Sequence, residues 1–249
     1  MTPAASGTAN LGAIVARTRY LLLDFDGPIC SIFAGLPAPT VAEKLRKLIP
    51  ADRLPDEIKH SSDPIEVFTY SATVSPALAE RVEAKMADLE VAATATATPT
   101  PYVHEVMASC RQTSRIIGVV SNNSTRAVTA YLDRHGLSDY VALVIGRTNP
   151  DPALLKPSPH LIETVISGLQ ADRAASALVG DSLTDVEAAH HAGIASIGYA
   201  NKPGKHDRMT QARAESVINS MAELALSLRS RHLRDLRFQT WFAWEAFTH

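Results

Sequence analysis

Five short apolar runs constrain the fold of this chain more than any other feature of its sequence. Each run has three to five residues, is rich in Val, Ile or Leu, and lacks strict alternation of apolar and polar residues. This pattern is typical of strands that are buried on both faces of a parallel sheet. The runs are residues 20–23, 116–120, 141–145, 177–179 and 195–199.

Helix signals separate these runs. Ser124 is predicted to cap a helix that runs to His135 and stops at Gly136. Three further helix starts are predicted at Ser158-Pro159 and at two capping boxes, Thr184 with Glu187 and Ser220 with Glu223. The alternation of strand and helix predicts an α/β fold with a doubly wound parallel-sheet (Rossmann-like) core.

One interval breaks this alternation and predicts an inserted α-helical cap domain. Residues 30–101 contain no convincing buried strand, but helix starts occur at Thr40, Asp63 and Ser75. The exit of the interval, residues 92–101, is a low-complexity stretch that predicts a helix end and a hinge linker. The predicted parts are a flexible N-terminal tail (1–10), an α/β core (11–29 and 102–230), the helical cap (30–101) and a C-terminal extension (231–249).

The composition is that of an ordinary globular protein and excludes several classes. Of the 249 residues, 46% are apolar and 20% are charged, and the formal net charge is −2. There is no basic excess for a nucleic-acid partner, and no apolar run approaches the roughly 20 residues that cross a membrane. The two cysteines suggest no disulfide framework, and residues 1–10 lack the features of a signal peptide. We therefore expect a cytoplasmic protein without nucleic-acid or membrane partners.

Four acidic residues follow two of the predicted strands. Asp24 and Asp26 come directly after residues 20–23, and Asp181 and Asp185 come after residues 177–179. The carboxyl ends of parallel strands meet at one edge, where clustered acids repel unless a cation offsets their charge. Mg²⁺ is the natural cation for such oxygen ligands. The alternatives are a solvated turn for the first pair and, for Asp185, a favourable position at a helix start.

Two further segments carry groups that suit a phosphate. Ser121, Asn122 and Asn123 follow the run at 116–120, where a hydroxyl and backbone amides can bind phosphate oxygens. A capping turn is the alternative for this segment. Lys156 stands at a loop-to-helix junction, where its ammonium group could neutralise a phosphoryl group or the acids. A solvated surface charge is the alternative for this lysine.

The order of these motifs resembles that of the haloacid dehalogenase superfamily. Asp-x-Asp-Gly, Ser-Asn after a strand, Lys-Pro, and Gly-Asp-x-x-x-Asp match the four motifs of that superfamily in order, over roughly residues 19–218. The insertion after the first motif resembles the helical cap of the phosphoglycolate phosphatase and β-phosphoglucomutase branch. This resemblance implies the doubly wound core with a cap that the strand and helix pattern also predicts.

The resemblance implies a catalytic role for each motif. Asp24 would be the nucleophile that forms an aspartyl-phosphate, and Asp26 would be the general acid for the leaving alcohol and then the general base for water. Ser121 and the Asn122 amide would hold the transferring phosphoryl group, and Lys156 would neutralise the nucleophile and the phosphate. Such a reaction depends on positioning and charge neutralisation.

Binding roles follow from the same resemblance. The implied substrate-binding residues are Gly27, Ser121, Asn122 and Lys156. The implied Mg²⁺ ligands are Asp24, Asp26, Asp181 and Asp185, with Asp26 also contributing its backbone carbonyl and Asp185 acting directly or through water.

The carboxylate of Asp26 favours a phosphatase, because the dehalogenases of the superfamily lack a carboxylate two residues after the nucleophile. The expected function is Mg²⁺-dependent hydrolysis of a small-molecule phosphomonoester, with a small phosphorylated metabolite as the partner. The alternatives are a phosphomutase of the β-phosphoglucomutase type and a catalytically quiet binding or regulatory protein on the same scaffold. Pro28 stands where the superfamily usually has Thr or Val, which we expect to alter the loop and not the site.

The C-terminal extension is unusually aromatic. Five aromatic residues fall in its last 12 positions: Phe238, Trp241, Phe242, Trp244 and Phe247. One interpretation is that this segment packs back on the core. The alternative is an interface in a homodimer, because exposed aromatic patches mark interaction sites.

Overall fold

The structure, a computed structural model, describes residues 5–229, with side chains described from Asn10 onward. The predicted aromatic extension at 231–249 lies outside the described residues. Residues 5–10 of the predicted tail belong to helix α1 (Ala5–Arg17). Helix α1 buries Leu11, Ile14 and Val15 in the core, so its apolar face anchors this segment.

Six parallel strands form the central sheet, as the apolar runs predict. The strands of the chain are β1 (Tyr20–Leu23), β2 (Cys30–Ser31), β3 (Thr98–Pro99), β4 (Ile116–Ser124), β5 (Val141–Arg147), β6 (Ser176–Gly180), β7 (Ala195–Tyr199) and β8 (Ser216–Ile218). The sheet has the order β5-β4-β1-β6-β7-β8, and every neighbouring pair in it is parallel. The order runs outward from β1 in both directions, which is the doubly wound arrangement.

The predicted strands agree closely with the observed ones. Strands β1 and β7 have the predicted bounds, and β4, β5 and β6 extend beyond their apolar runs. The short edge strand β8 was not predicted, because only two of its three residues, Val217 and Ile218, are apolar.

Helices of the core cover both faces of this sheet, and further helices lie in residues 30–101. Besides α1, the described helices are α2 (Ala38–Arg46), α3 (Asp56–His60), α4 (Pro64–Val74), α5 (Pro76–Ala93), α6 (Val103–Gln112), α7 (Thr125–Arg134), α8 (His160–Leu169), α9 (Leu183–Ala192), α10 (Lys205–Gln211) and a last helix over residues 221–229. Within the part of the chain that the structure describes, no helix combines the length and the apolar character that a membrane span requires.

Strand β1 lies in the middle of the sheet and is buried on both faces. Leu21 and Leu23 pack in one hydrophobic cluster with side chains of α1, α6 and α7. Leu22 points to the opposite face and packs with side chains of α8 and α9. All three leucines are fully buried, which explains why the run shows no alternation of apolar and polar residues.

Residues 30–101 form a helical insertion with a hydrophobic cluster of its own. Helices α2, α4 and α5 supply most of this cluster, and Leu155 of the core is buried in it. At its base, β2 and β3 form a short antiparallel pair, so the two ends of the insertion lie side by side. The sequence predicted only a hinge linker at this exit, since two-residue strands leave no pattern.

Two helices of the insertion begin at their predicted positions. The Asp63 carboxylate accepts a hydrogen bond from the Ile65 N–H at the start of α4, and Ser75 Oγ accepts one from the Leu78 N–H at the start of α5. The start predicted at Thr40 is wrong, because α2 already begins at Ala38 after Pro37.

The helix caps of the core differ in detail from the prediction. Ser124 caps α7 as expected. The capping box of α9 is not formed by Thr184 and Glu187 but by Ser182 and Asp185, whose side chains each accept a hydrogen bond from the other residue's N–H. Because the carboxylate of Asp185 closes this box, the helix begins earlier than predicted and Asp185 lies in its first turn.

Leu22→Ala is expected to lower the free energy of unfolding by about 2–5 kcal/mol, because it leaves a cavity in the fully buried centre of the sheet. Equilibrium urea denaturation measures this change. The matched control is Leu226→Ala, since Leu226 is 64% exposed and its truncation should change stability by less than about 0.5 kcal/mol. Equal losses in both variants would contradict the central burial of β1.

Candidate active site

The candidate site begins where β1 ends. The Asp24 N–H donates to the Val179 carbonyl of β6 at 2.9 Å, which continues the pairing of β1 and β6 by one residue. Asp24 Oδ1 accepts a hydrogen bond from the Phe25 N–H at 2.7 Å. These two contacts fix the main chain and the carboxylate of Asp24 at the carboxyl edge of the sheet, where α/β proteins bind ligands.

Three predicted metal ligands lie together at this edge. One carboxylate oxygen from each of Asp24, Asp181 and Asp185 lies within 4.8 Å of the other two. Asp24 and Asp185 are buried and Asp181 is half-buried. Three oxygen donors this close, with little water to screen them, suit a small divalent cation such as Mg²⁺. The donor set therefore fits the metal that the sequence predicts.

Asp26, the fourth predicted ligand, lies outside this carboxylate group. Strand β1 ends at Leu23, and the chain then turns so that the Ile29 N–H donates to the Phe25 carbonyl. Asp26 Oδ1 instead accepts a hydrogen bond from the Ile32 N–H at 3.0 Å. This hydrogen bond depends on the turn that follows β1, so the sequence does not predict it. Asp24 and Asp26 nevertheless line the same cavity.

Gly27, predicted to bind substrate, has a clear structural role in this turn. Its N–H donates to the Cys30 carbonyl at 2.7 Å, and its carbonyl accepts from Thr100 Oγ1 at 2.5 Å, so both main-chain groups are used within the protein. Its φ is +106°, and a Cβ at this position would collide with the carboxylate of Asp181. Glycine is therefore required here for both backbone conformation and space.

Lys156 lies between two of the clustered acids. Its Nζ is 2.9 Å from Asp24 Oδ1 and 2.5 Å from Asp185 Oδ1, and it donates to the Val120 carbonyl at 3.1 Å. Lys156 is buried, which by itself lowers its pKa, but the carboxylates of Asp185 and Asp24 outweigh this effect and hold the pKa above its usual value. The lysine is therefore a permanent positive charge beneath the site.

Burial and nearby negative charge raise the pKa of Asp24 and of Asp26. Burial, followed by the nearby charge of Asp185, raises the pKa of Asp24 to about 7 although Lys156 opposes the shift. Burial also raises the pKa of Asp26 to about 6, against the hydrogen bond from Ile32. The four carboxylates of Asp24, Asp26, Asp181 and Asp185 outnumber the ammonium groups of Lys156 and Lys205, which leaves an excess of negative charge that a divalent cation would offset.

Asp185 and Asp181 are each held by neighbouring groups. Asp185 Oδ2 accepts hydrogen bonds from the N–H and the hydroxyl of Ser182, and its Oδ1 accepts from Lys156. Asp181 Oδ2 accepts from Asn201 Nδ2 at 2.9 Å and from Lys205 Nζ. Asp185 thus uses both oxygens within the protein, whereas among the described contacts Asp181 is held through one oxygen. Asp181 is therefore the better placed of the two to bind a metal directly.

The Ser121–Asn123 segment lies in the last part of β4, where the register with β5 shifts. Ser121 Oγ accepts from the Asn123 N–H at 3.1 Å and donates to Asn123 Oδ1 at 3.2 Å. The Asn122 side chain pairs with the main chain of Lys156, since Oδ1 accepts from its N–H at 2.9 Å and Nδ2 donates to its carbonyl at 3.2 Å. These contacts hold the predicted phosphate-binding segment against the segment that carries Lys156.

A buried ion pair connects the insertion to the Ser121–Asn123 segment. Arg147 of β5 donates to both oxygens of Glu90 on α5, at 3.1 and 2.9 Å, and to the Asn122 carbonyl at 2.5 Å. Glu90 also accepts from Asn123 Nδ2 at 3.1 Å and from the Ser124 N–H at 2.8 Å. Because Glu90 is fully buried and Arg147 nearly so, each charge depends on the other.

These groups surround one cavity of about 430 Å³ between the sheet edge and the insertion. From the core, the lining includes Asp24, Asp26, Ser121, Asn122, Lys156 and Asp181. From the insertion, it includes Phe33, Asp63, Ile65 and Met86. The structure thus brings these predicted catalytic and metal-binding side chains to one place, although they are far apart in the sequence.

Comparison with known proteins identifies the family. The model of the haloacid dehalogenase-like hydrolases matches residues 43–199, which is more than half of the chain. The chain therefore belongs to this family. The matched region contains the segments of Ser121, Lys156 and Asp181, and Asp24 and Asp26 precede it.

The curated relatives are phosphatases by name. The phosphoglycolate phosphatase of Vibrio vulnificus is 28% identical over 125 residues, which covers 50% of this chain and 54% of the relative. The chain thus spans about half the length of the first relatives it matches. The phosphoglycolate phosphatase of Pectobacterium atrosepticum is 27% identical over 219 residues, covering 85% of this chain and 93% of the relative.

Solved structures share the fold at low sequence identity. A predicted phosphatase from Clostridium acetobutylicum superposes with a TM-score of 0.66 at 18% identity, covering 86% of this chain and 99% of that one. CbbY from Rhodobacter sphaeroides, solved in complex with phosphate, gives a TM-score of 0.64 at 19% identity, covering 83% and 96%. These matches show that this chain shares its fold with those two proteins over most of its length.

Three residues of the site were not predicted from the sequence. Glu90, Arg147 and Lys205 contact site residues that are 20 or more positions away in the chain, so no local motif marks them. Glu90 and Arg147 lie in helix and strand segments where a single charge is ordinary. The only available signal is their type, since a charged residue among apolar neighbours requires a partner when it is buried.

Glu90→Gln is expected to lower the free energy of unfolding by roughly 3 kcal/mol, because it removes the buried counter-charge of Arg147 and leaves only the half-buried Glu83. Equilibrium urea denaturation measures the loss. The matched control on the same helix is Asp88→Asn, which removes an exposed ion pair with Arg126 and should cost less than about 1 kcal/mol. If the two variants were equally stable, the buried pair would not hold the insertion to the core.

Proposed function

We propose that this protein is an Mg²⁺-dependent phosphatase that hydrolyses a small-molecule phosphomonoester through an aspartyl-phosphate at Asp24. The observation that carries this proposal is the cluster of Asp24, Asp181 and Asp185 carboxylates within 4.8 Å, with Lys156 bonded to two of them. The family membership and the phosphatase names of the relatives support it.

Asp24 suits the role of nucleophile because its carboxylate is fixed in the cavity by the Phe25 N–H and by Lys156. In the first displacement, an oxygen of Asp24 forms a bond to phosphorus as the bond from phosphorus to the alcohol oxygen breaks. Lys156 opposes the burial that raises the pKa of Asp24 and so favours the ionised form of the nucleophile. A carboxylate nucleophile divides one difficult hydrolysis into two easier displacements.

Asp26 is proposed to transfer the protons of both displacements. It gives its proton to the leaving alcohol oxygen and then removes a proton from the water that attacks the aspartyl-phosphate. That attack releases inorganic phosphate and restores the Asp24 carboxylate. Burial raises the pKa of Asp26 to about 6, which suits a group that both donates and accepts a proton near neutral pH.

The charge of the transferring phosphoryl group needs positive partners and hydrogen-bond donors. Ser121 and the Asn122 amide are proposed to bind its oxygens, and Lys156 is proposed to neutralise it. Asp24 and Asp181 would hold Mg²⁺, assisted by the Asp26 backbone carbonyl and by Asp185, directly or through water. When bound, Mg²⁺ supplies further neutralisation of the negative charge that develops on the phosphoryl oxygens.

Residues 30–101 are proposed to act as a cap over this chemistry. The insertion supplies one wall of the cavity, with Phe33, Ile65 and Met86 among its lining side chains. A cap of this kind excludes water from the nucleophile until the alcohol has left.

Asp24→Asn is expected to lower phosphate release at least about a thousandfold, because the variant lacks the attacking carboxylate. The measurement is release of inorganic phosphate from a panel of phosphorylated metabolites in the presence of Mg²⁺. The control is Asp139→Asn, which removes the same charge at an exposed position away from the cavity and should keep full activity. Turnover by Asp24→Asn at the wild-type rate would refute the covalent route.

Mg²⁺ is expected to raise the melting temperature of the wild-type protein, because an ion that binds only the folded state stabilises it. At a hundred times its Kd, such an ion adds about 2.7 kcal/mol to the free energy of unfolding. The shift should be lost in Asp181→Asn, which removes a proposed ligand, and kept in Asp139→Asn. Differential scanning fluorimetry with and without Mg²⁺ after EDTA treatment measures it. An unchanged shift in Asp181→Asn would remove this residue from the metal site.

A further inference from the structure

The insertion-side wall of the cavity has a definite chemical character. Its lining residues include Phe33, Ser62, Asp63, Pro64, Ile65 and Met86. Four of these six are apolar, and the two polar ones are a hydroxyl and a carboxylate. In a phosphomonoester bound with its phosphate at the sheet edge, the alcohol part would face this wall.

Negative charge on this wall is concentrated at Asp63. Asp63 Oδ1 accepts a hydrogen bond from the Ile65 N–H at 2.8 Å, which orients the carboxylate at the start of α4. Burial, together with the nearby charge of Glu66, raises the pKa of Asp63, so the surroundings already disfavour its negative charge. A second carboxylate placed beside Asp63 would be repelled.

Positive charge that could offset such a carboxylate is committed elsewhere. Among the described residues that line the cavity, Lys156 is the only lysine or arginine, and it is bonded to Asp24 and Asp185. Lys202 and Lys205 act on the core side, where their charge lowers the pKa of Asp26. On the insertion, Arg46 is bonded to the Ser61 carbonyl and does not line the cavity.

We propose that this cavity selects phosphate esters of uncharged, hydroxyl-bearing alcohols and rejects those whose alcohol part carries a carboxylate, with Asp63 as the specificity-determining residue. The apolar side chains of Phe33, Ile65 and Met86 would contact the carbon chain, and Asp63 would accept a hydrogen bond from a hydroxyl group. This inference rests on the proposed phosphatase function. It separates the chain from its relatives named phosphoglycolate phosphatase, because phosphoglycolate carries a carboxylate.

Two matched pairs of substrates test the proposal. 2-Hydroxyethyl phosphate and 2-phosphoglycolate differ mainly in a hydroxymethyl against a carboxylate group, and so do glycerol 3-phosphate and 3-phosphoglycerate. We expect kcat/KM for the uncharged member of each pair to exceed that of the carboxylate member by at least about tenfold, because the carboxylate member places a second negative charge beside Asp63. The readout is release of inorganic phosphate with Mg²⁺.

Asp63→Asn isolates the contribution of the charge. Asparagine is as good a helix cap as aspartate, so α4 should keep its start and the variant should fold. We expect its kcat/KM for the carboxylate members to rise severalfold, while that for the uncharged members stays within about twofold. The control is Asp56→Asn, which removes a charge from an exposed residue of the same insertion and should leave the ratios unchanged.

The outcomes separate this inference from the proposed function. If no ester in either pair releases phosphate, the phosphatase function fails and the inference fails with it. If the esters are hydrolysed but the carboxylate members are equal or better substrates, only the inference is overturned. Ratios that stay unchanged in Asp63→Asn would also overturn the role of Asp63 while leaving the phosphatase function intact.

Discussion

The arrangement of the site depends on one electrostatic constraint, which is the position of the Lys156 ammonium group among three carboxylates. Asp24, Asp181 and Asp185 could not remain ionised this close together without positive charge nearby. Lys156 bonds to two of them and is itself anchored to the end of β4 through the Val120 carbonyl. It therefore stabilises a set of negative groups that is still short of positive charge, which is the condition for binding a divalent cation.

The sheet makes this charge arrangement possible by bringing distant segments together. Strands β1, β4 and β6 are neighbours, so the residues that follow them meet at one edge. Close approach then requires glycine, because a Cβ at Gly27 would collide with Asp181 and one at Gly180 would collide with Asp185. The glycines of the first and last motifs thus let the carboxylates approach the main chain closely. Both the fold and the proposed chemistry therefore require glycine at these two positions.

The fold was largely predictable because burial on both faces of a sheet leaves a strong signal. The run at 20–23 is apolar throughout since Leu22 and its neighbours pack on opposite sides. The site was predictable where a motif follows a strand, as for Asp24 and Asp181. The hydrogen-bond partner of a site residue was not predictable where it depends on the direction of the side chain. Asp26 is an example, because its carboxylate follows a turn and accepts from the Ile32 N–H. The partner of a single charge such as Glu90 is likewise set by tertiary packing.

The ion pair of Arg147 and Glu90 limits how the two parts of the molecule can move. Arg147 also contacts Glu83, so the long helix α5 is bonded to β5 at two of its turns. A rigid swing of the whole insertion would break these bonds and expose buried charges, at a large cost in free energy. Helix α5 is therefore fixed to the sheet, although the chain order places it in the insertion.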